Sequence, residues 1–145
     1  MIKIICIGKI KEEYLNKLIN DYKQRITKYH KLEIIQLKDS NIINESKEIN
    51  NILTEKDYNI CLDIKGEKLS SVDFSKLIDK TLTMGYKAIT FIIGGSEGIS
   101  EEIKNKCNKK ISFSDLTFPH GLFRGILLEQ IYRSFKILSN ETYHK

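Results

Sequence analysis

Several patterns that would identify a common class of enzyme are missing from this chain of 145 residues. A Rossmann dinucleotide fold places G-x-G-x-x-G at its first strand-to-helix turn, but the corresponding turn here has one glycine, Gly8. The P-loop pattern G-x-x-x-x-G-K-[ST] is also absent, and no Ser-His-Asp or Cys-His arrangement is apparent. These absences argue against the two common nucleotide folds and give no sign of a covalent nucleophile.

Cysteine is scarce, and long hydrophobic runs are lacking. Cys6, Cys61 and Cys107 show no C-x-x-C spacing, and two of them lie inside apolar runs. We therefore expect buried free thiols, and neither a disulfide framework nor a zinc or other metal site. No apolar run approaches the roughly 18 residues of a membrane span, and the N-terminus lacks a secretory signal. These features predict a cytoplasmic protein with no membrane partner.

The composition is that of a soluble globular protein with a basic excess. Hydrophobic residues make up 41% and charged residues 30% of the chain. A chain of this length is expected to form one domain, residues 1–145, with a core that needs no metal or disulfide support. Lysine and arginine number 24 against 19 acidic residues, which favours a polyanionic partner without identifying it.

Apolar runs alternate along the chain with segments of helical spacing. The predicted strands are 2–7, 32–37, 58–64, 88–93 and 110–114. The predicted helices are 12–29, 44–54, 70 or 71 to about 85, one that begins at 100, and 121–138. This rhythm predicts an α/β fold with a parallel, doubly wound sheet and helices on both faces.

Two unusual loops follow each other in the last third of the chain. The first has Gly94, Gly95 and Gly98 directly after an apolar run, and the second, 114–120, holds the only proline, Pro119. Glycine permits close approach of a ligand to the backbone, but a tight strand-to-helix connection would need the same residues. The two loops together can form one pocket.

Five blocks of sequence carry a specific resemblance. They are IGKIKEEY (7–14), LDIKG (62–66), IGGSEG (93–98), FSDLTFPH (113–120) and LLEQIYRSFKI (127–137), followed by the terminal YHK. In this order they resemble the RlmH family of SPOUT-superfamily methyltransferases, which act on a pseudouridine of large-subunit ribosomal RNA. The resemblance extends over the whole chain.

The resemblance implies much that spacing alone does not. It implies the SPOUT fold (alpha/beta knot) with a C-terminal deep trefoil knot, although folds in general avoid knots. It also implies methylation of N3 of a pseudouridine in 23S rRNA, with S-adenosyl-L-methionine as cofactor. The substrate would be the assembled ribosome, since no separate RNA-binding domain has room here, and the protein would be a homodimer.

By the same resemblance, three loops hold the cofactor. The first contains Leu62 and the second Gly94; the third consists of Phe113, Ser114, Asp115, Leu116, Thr117 and Phe118. Backbone polar groups could bind the adenine edge while apolar side chains cover its faces. Without the resemblance, Leu62 and Phe113 would be taken as core residues and Thr117 as a turn-stabilising hydroxyl.

His120 and Arg124 are the predicted catalytic residues. Methyl transfer to an imide nitrogen requires alignment of the reactants and removal of a proton, which His120 could accept. Arg124 lies four residues on, so on a helix the two share a face, and it could stabilise negative charge on the imide. A structural histidine and a solvent-exposed arginine are the alternatives.

The end of the chain and the last predicted helix complete the interpretation. Tyr143 and His144 are predicted to bind the substrate base, although terminal residues are usually frayed. The last helix is apolar nearly all round, and Gly121 and Gly125 depart from the family pattern. Such a helix needs burial on several sides, which a homodimer would supply. The alternative function is a catalytically silent RNA- or ribosome-binding module that retains the fold.

Overall fold

The computed structural model describes all 145 residues as five strands and five helices in strict alternation. The strands are β1 (Ile2–Ile7), β2 (Leu32–Leu37), β3 (Tyr58–Lys68), β4 (Ile89–Ile92) and β5 (Lys109–Ser112). The helices are α1 (Glu13–Thr27), α2 (Ile42–Ile52), α3 (Ser71–Thr83), α4 (Glu101–Lys106) and α5 (His120–Leu138). All ten predicted elements are present, and the largest difference is the longer β3.

The strands form one parallel sheet in the order β2-β1-β4-β3-β5. Alternate residues of a strand point to opposite faces, so Ile4 of β1 packs with α1, α3 and α5, whereas Ile5 packs with α2 and α4. Both faces of the sheet are thus covered by helices. The predicted doubly wound parallel sheet is confirmed.

Helix α5 obtains its burial within the chain. It packs against both α1 and α3, and residues such as Leu127, Leu128 and Ile131 are fully buried. A Cβ atom at Gly125 would lie 2.8 Å from the Leu18 side chain of α1, which explains why a glycine is present in mid-helix. The burial expected for this apolar helix is thus provided largely by its own chain, and the homodimer stays a prediction.

Strand β3 extends beyond a break in its regular pairing with β5. Leu62 and Glu67 both pair with Ile111 of β5, so residues 63–66 form a bulge between them. Gly66 fits there because a Cβ would lie only 2.6 Å from the Ile111 nitrogen. The bulge leads the chain away from the ladder directly after Leu62, at the edge where the other strands end.

The expectation of three free thiols is wrong for two of them. Cys61 near the middle of β3 and Cys107 at the end of α4 form a disulfide across 46 residues of sequence, with Cα atoms 6.2 Å apart. Only Cys6 is free, and it is buried. Sequence spacing did not indicate this pair because the fold alone brings β3 and α4 together.

None of the helices combines the length and the apolar character needed to cross a bilayer. No group of three or more His, Cys, Asp or Glu side chains is placed to hold a metal ion.

Candidate active site

A cleft of about 470 Å³ lies beyond the carboxyl ends of β3, β4 and β5. Open α/β sheets bind ligands at this edge, and the volume suits a ligand of nucleoside size. Eight of the predicted site residues line it: Leu62, Gly94, Phe113, Ser114, Leu116, Thr117, Phe118 and His120. Gly98, which was not predicted as a site residue, lines it as well. We call this cavity the cofactor cleft.

The glycines after β4 form a closed turn on one wall of the cofactor cleft. The Gly98 nitrogen donates to the Gly95 carbonyl at 2.9 Å, and Gly98 has a φ of 81°, which side chains disfavour. A Cβ at Gly94 would lie 2.6 Å from the carbonyl carbon of Gly98 and 2.8 Å from the Ile99 side chain. Glycine at 94 is therefore needed by the turn itself.

Two carboxylates that the sequence did not indicate, Glu45 of α2 and Glu97 of the turn, join helix α2 to this glycine turn. Glu45 is 4% exposed, accepts from the Ser40 nitrogen at 2.8 Å, and lies so close to Gly95 that a Cβ there would be 2.6 Å from its Oε1. Glu97 accepts from the Ile42 nitrogen at 3.1 Å. Burial raises the pKa of Glu45 above its usual value.

Aromatic rings form the floor beneath the third loop. Phe113 packs edge-on against Phe74 and Phe123, and Phe118 stacks on Phe123 with ring centroids 6.1 Å apart. These contacts hold the loop between β5 and α5 in place. Asp115 points elsewhere: it does not line the cleft, and it forms an exposed ion pair with Lys68.

His120 is the first residue of α5 and lines the cofactor cleft. Its Nε2 lies 2.8 Å from the carbonyl oxygen of Ile7, at the end of β1. A carbonyl only accepts, so Nε2 carries a hydrogen and donates it. Burial lowers the pKa of His120, and the Arg124 charge acts in the same direction, more weakly than the opposing hydrogen bond to Ile7. At neutral pH the ring is therefore uncharged, with Nδ1 as its acceptor.

Arg124 shares a helix face with His120, as expected, but it does not line the cleft. It is 3% exposed, so the exposed-arginine alternative is wrong. Its guanidinium donates to the carbonyl oxygens of Ile7 and Gly8 at 3.2 and 3.1 Å and to the Gln36 side chain at 3.0 Å. Its Nε is buried without a partner.

Tyr143 and His144 are not brought to the cleft of their own chain. The Tyr143 hydroxyl lies 3.3 Å from both Tyr22 and Glu129, and its ring packs edge-on against Tyr132. Glu129 lies nine residues beyond His120 along α5, a distance of about 14 Å at 1.5 Å per residue. Burial raises the pKa of Tyr143, which keeps its hydroxyl protonated. The tail is thus packed against the helix, which contradicts the picture of a frayed terminus.

A second cavity of about 340 Å³ lies beside the first. It is formed between the segment that leads into α1 and the first turn of α5, and we call it the Tyr14 groove. Its lining consists of Lys9, Ile10, Glu12, Tyr14, Leu15, Pro119, His120, Gly121 and Leu122. His120 is the residue that lines both cavities.

Other residues of the cofactor cleft were missed by the sequence reasoning. Asp63 and Lys104 form a mostly buried ion pair at 3.2 Å in its wall, and Ile64 lies half exposed beside them. Asp63 could have been found, because it follows Leu62 directly. Lys104 could not, since the face that α4 presents to the cleft depends on tertiary packing.

The architecture and the position of the cleft agree with a known family. The chain matches the family described as "Predicted SPOUT methyltransferase" over residues 1–144. It therefore belongs to the SPOUT methyltransferases. Within that family it is similar to a protein named "Ribosomal RNA large subunit methyltransferase H" from Clostridium botulinum (strain Kyoto / Type A2), with 47% identity over 99% of both chains. A protein of the same name from Malacoplasma penetrans is also 47% identical, again over 99% of both chains.

Solved structures of lower identity share the fold. The SpoU methyltransferase AviRb from Streptomyces viridochromogenes, in complex with AdoMet, aligns with a TM-score of 0.52 and 10% identity over 93% of this chain and 58% of its own. The tRNA (m1G37) methyltransferase from Aquifex aeolicus aligns with a TM-score of 0.51 and 16% identity over 91% and 69%. These similarities confirm the SPOUT fold class, while the trefoil knot itself stays a prediction.

Proposed function

We propose that the protein is an S-adenosylmethionine-dependent methyltransferase that modifies large-subunit ribosomal RNA. The more specific target is N3 of a pseudouridine in 23S rRNA within the ribosome. Family membership and relatives of that name at 47% identity support the activity. The observation that carries the chemistry is a neutral His120, held by the Ile7 carbonyl, in the wall of the cofactor cleft.

The residues of the cleft suit the proposed cofactor. Phe113 and Phe118 offer apolar surface for the adenine, and the Gly94 turn brings backbone polar groups close. Glu97 supplies negative charge near a cationic sulfonium, while the charge of Asp63 is balanced by its ion pair with Lys104. S-adenosylmethionine would supply an activated methyl group, whose bond to sulfur breaks as the electron pair stays on sulfur.

We assign proton removal to His120. The imide N3–H must lose its proton as the new N–CH₃ bond forms, and Nδ1 of a neutral His120 can accept it. The hydrogen bond from Nε2 to Ile7 fixes the tautomer that leaves Nδ1 as the acceptor. The positive charge on the protonated ring would then be relieved by proton release to solvent after transfer.

Arg124 is proposed as a positioning residue. Its hydrogen bonds join the first turns of α5 to the ends of β1 and β2, where the Ile7 carbonyl also holds His120. It would therefore keep the imidazole in place and add positive potential near the imide anion, without touching the substrate.

We also propose that the working protein is a homodimer. If Tyr143 and His144 bind the target base, they must come from a second copy, because they lie far along α5 from His120 of their own chain. Asp115, which faces away from the cleft, keeps only its predicted place in the cofactor loop, through its backbone.

Methyl transfer to ribosomes tests the proposal directly. Purified protein, S-adenosylmethionine labelled in its methyl group and ribosomes that lack the modification should yield labelled large-subunit RNA, with the methyl on a pseudouridine by mass spectrometry. Failure to bind S-adenosylmethionine in a calorimetric titration, together with retained ribosome binding, would favour the silent binding module instead.

A further inference from the structure

The position of His120 between two cavities divides the site into two chambers. His120 lines both the cofactor cleft and the Tyr14 groove, and it is the residue that the two cavities share. In a direct displacement the accepting nitrogen must lie about 3 Å from the methyl carbon and in line with the breaking bond. If the cofactor occupies the cleft, the target RNA base that gives its proton to His120 must therefore approach His120 from outside the cleft. The Tyr14 groove is the cavity that adjoins His120 there.

The chemistry of the groove suits a single nucleotide. Tyr14 is 71% exposed, the second most exposed large hydrophobic side chain of the chain, and it packs into neither core cluster. An exposed aromatic ring beside a cavity is a stacking surface for an unpaired base. Ile10, Leu15 and Leu122 add apolar surface to the lining of the groove.

The charges at the rim of the Tyr14 groove predict how a bound nucleotide is oriented. Lys9 is exposed and offers an ammonium group for a phosphate, whereas Glu12 on the same rim would repel one. The ribose-phosphate is therefore expected on the Lys9 side.

Gly121 keeps the groove open. A Cβ at this position would lie 3.1 Å from the Leu15 side chain and 3.3 Å from that of Ile10, so a larger side chain would project into the space between them. This accounts for one of the two glycines by which the last helix departs from the family pattern.

We propose that the Tyr14 groove receives the target nucleotide after it leaves its base stack, with Tyr14 stacked on the base and Lys9 at the phosphate. This inference rests on the proposed function, because it assumes an RNA base as methyl acceptor. It adds a substrate chamber between the β1–α1 segment and the first turn of α5, beside the cofactor cleft.

Steady-state kinetics on ribosomes would test the groove, with S-adenosylmethionine saturating and ribosomes varied. Tyr14→Ala should lower kcat/KM for the ribosome by about 10-fold or more, as expected for loss of one base-aromatic stack. Tyr14→Phe and Tyr14→Trp should retain most activity, since both rings still stack. Gly121→Leu should block transfer from the opposite wall. Met84→Ala, a similarly exposed side chain at the end of α3, is the matched control and should behave as wild type.

Three results separate the possible failures. S-adenosylmethionine affinity and the unfolding midpoint should be unchanged in the Tyr14 variants, and a loss of either would mean a structural role and overturn the assignment. Wild-type kcat/KM in Tyr14→Ala, or equal losses in Tyr14→Ala and Tyr14→Phe, would also overturn it. If the wild-type protein itself transfers no methyl group to ribosomes, the proposed function fails, independently of the groove.

Discussion

At the scale of single residues, the proposed chemistry depends on the protonation state of His120. Burial lowers the pKa of this imidazole below its ordinary value of about 6.5. The residue is therefore a base across neutral pH and loses that capacity only in acid. A proton on Nδ1 would leave the donor bond to Ile7 intact but remove the acceptor that the reaction needs.

The first prediction concerns the pH dependence and His120→Gln. kcat/KM should be level near pH 7 and fall in acid, with an apparent pKa below about 6.5. Glutamine can still donate to the Ile7 carbonyl but cannot act as a base, so kcat should fall by about 100-fold or more with unchanged S-adenosylmethionine affinity. An active His120→Gln enzyme would show that the histidine is structural.

The same shift predicts the direction of an effect on stability. Burial lowers the pKa of His30 as well as that of His120, so the unfolded chain binds both protons at higher pH than the folded one does. The free energy of unfolding should therefore decrease as the pH is lowered through about 6.5. Urea titrations at pH 7.5 and 5.5 would measure this, and replacement of His120 by glutamine should reduce the difference.

A second prediction concerns the glycine turn. Gly94→Ala places a Cβ against the backbone of Gly98, and overpacking of this kind costs about 1–3 kcal/mol, so affinity for S-adenosylmethionine should weaken by about 10-fold or more. Gly94→Val should be more severe, through distortion of the turn as well as lost ligand space. Met84→Ala, at the end of α3 and away from the cleft, is the control. Calorimetry on folded Gly94→Ala with wild-type affinity would contradict this placement of the cofactor.

The sequence predicted some of these residues and missed others, for physical reasons. Gly94 and His120 stand out because glycine and the one proline-histidine pair mark loops with special backbone needs. The carboxylate of Glu45 does not, since its burial against Gly95 results from the approach of α2 to another loop. Arg124 was assigned to the site by resemblance, but only the fold shows that its partners are strand-end carbonyls.

At the scale of elements, α5 is the part that gives the site its shape. It begins at His120, packs between α1 and α3, and receives the tail on its far turns. Its apolar pattern correctly predicted burial on several sides but could not specify the neighbours. The contacts of Gly125 with Leu18 show that the neighbour is a helix of the same chain, so Gly125→Arg is expected to disturb α1 packing before any contact between subunits.

The third prediction follows from the packing of the tail. Removal of residues 143–145 deletes the Tyr143 ring from its contacts with Tyr132 and Arg133, so the free energy of unfolding should fall by about 1–2 kcal/mol. Methyl transfer should fall by about 100-fold if the tail positions the base, with S-adenosylmethionine affinity near wild type. Removal of Lys145 alone is the control. Methyl transfer at the wild-type rate by the shortened protein would exclude the tail from the site.

At the scale of the whole molecule, the separation of the tail from His120 leads to a test of the dimer. The fourth prediction is that His120→Ala and the tail-truncated protein, each inactive alone, regain activity when unfolded and refolded together. Random pairing gives heterodimers in which one of the two sites has both an intact histidine and an intact tail, so about a quarter of wild-type activity should return. No recovery, or a monomer by light scattering at micromolar concentration, would contradict a shared site.

The overall architecture was the most predictable level. Local hydrophobic periodicity predicts the ten elements, because the apolar residues of each helix or strand lie close together in the sequence. The strand order is not local: β4 lies between β1 and β3 although it follows both in sequence. The pairing of Cys61 with Cys107 is hidden for the same reason, since it results from that order and from no spacing motif.

That strand order also has a consequence for how the protein is made. About 80 residues are synthesised between β1 and β4, its neighbour in the middle of the sheet. The loop between β5 and α5, and helix α5 itself, are made later still. Parallel pairings between distant segments form slowly, because the entropy cost of closing the loop comes before the contacts that stabilise the pairing. A nascent chain halted before α5 would expose the apolar face of the sheet that α5 covers, and would depend on chaperones to avoid aggregation. The helix that carries His120 is thus synthesised after all five strands of the sheet that it covers.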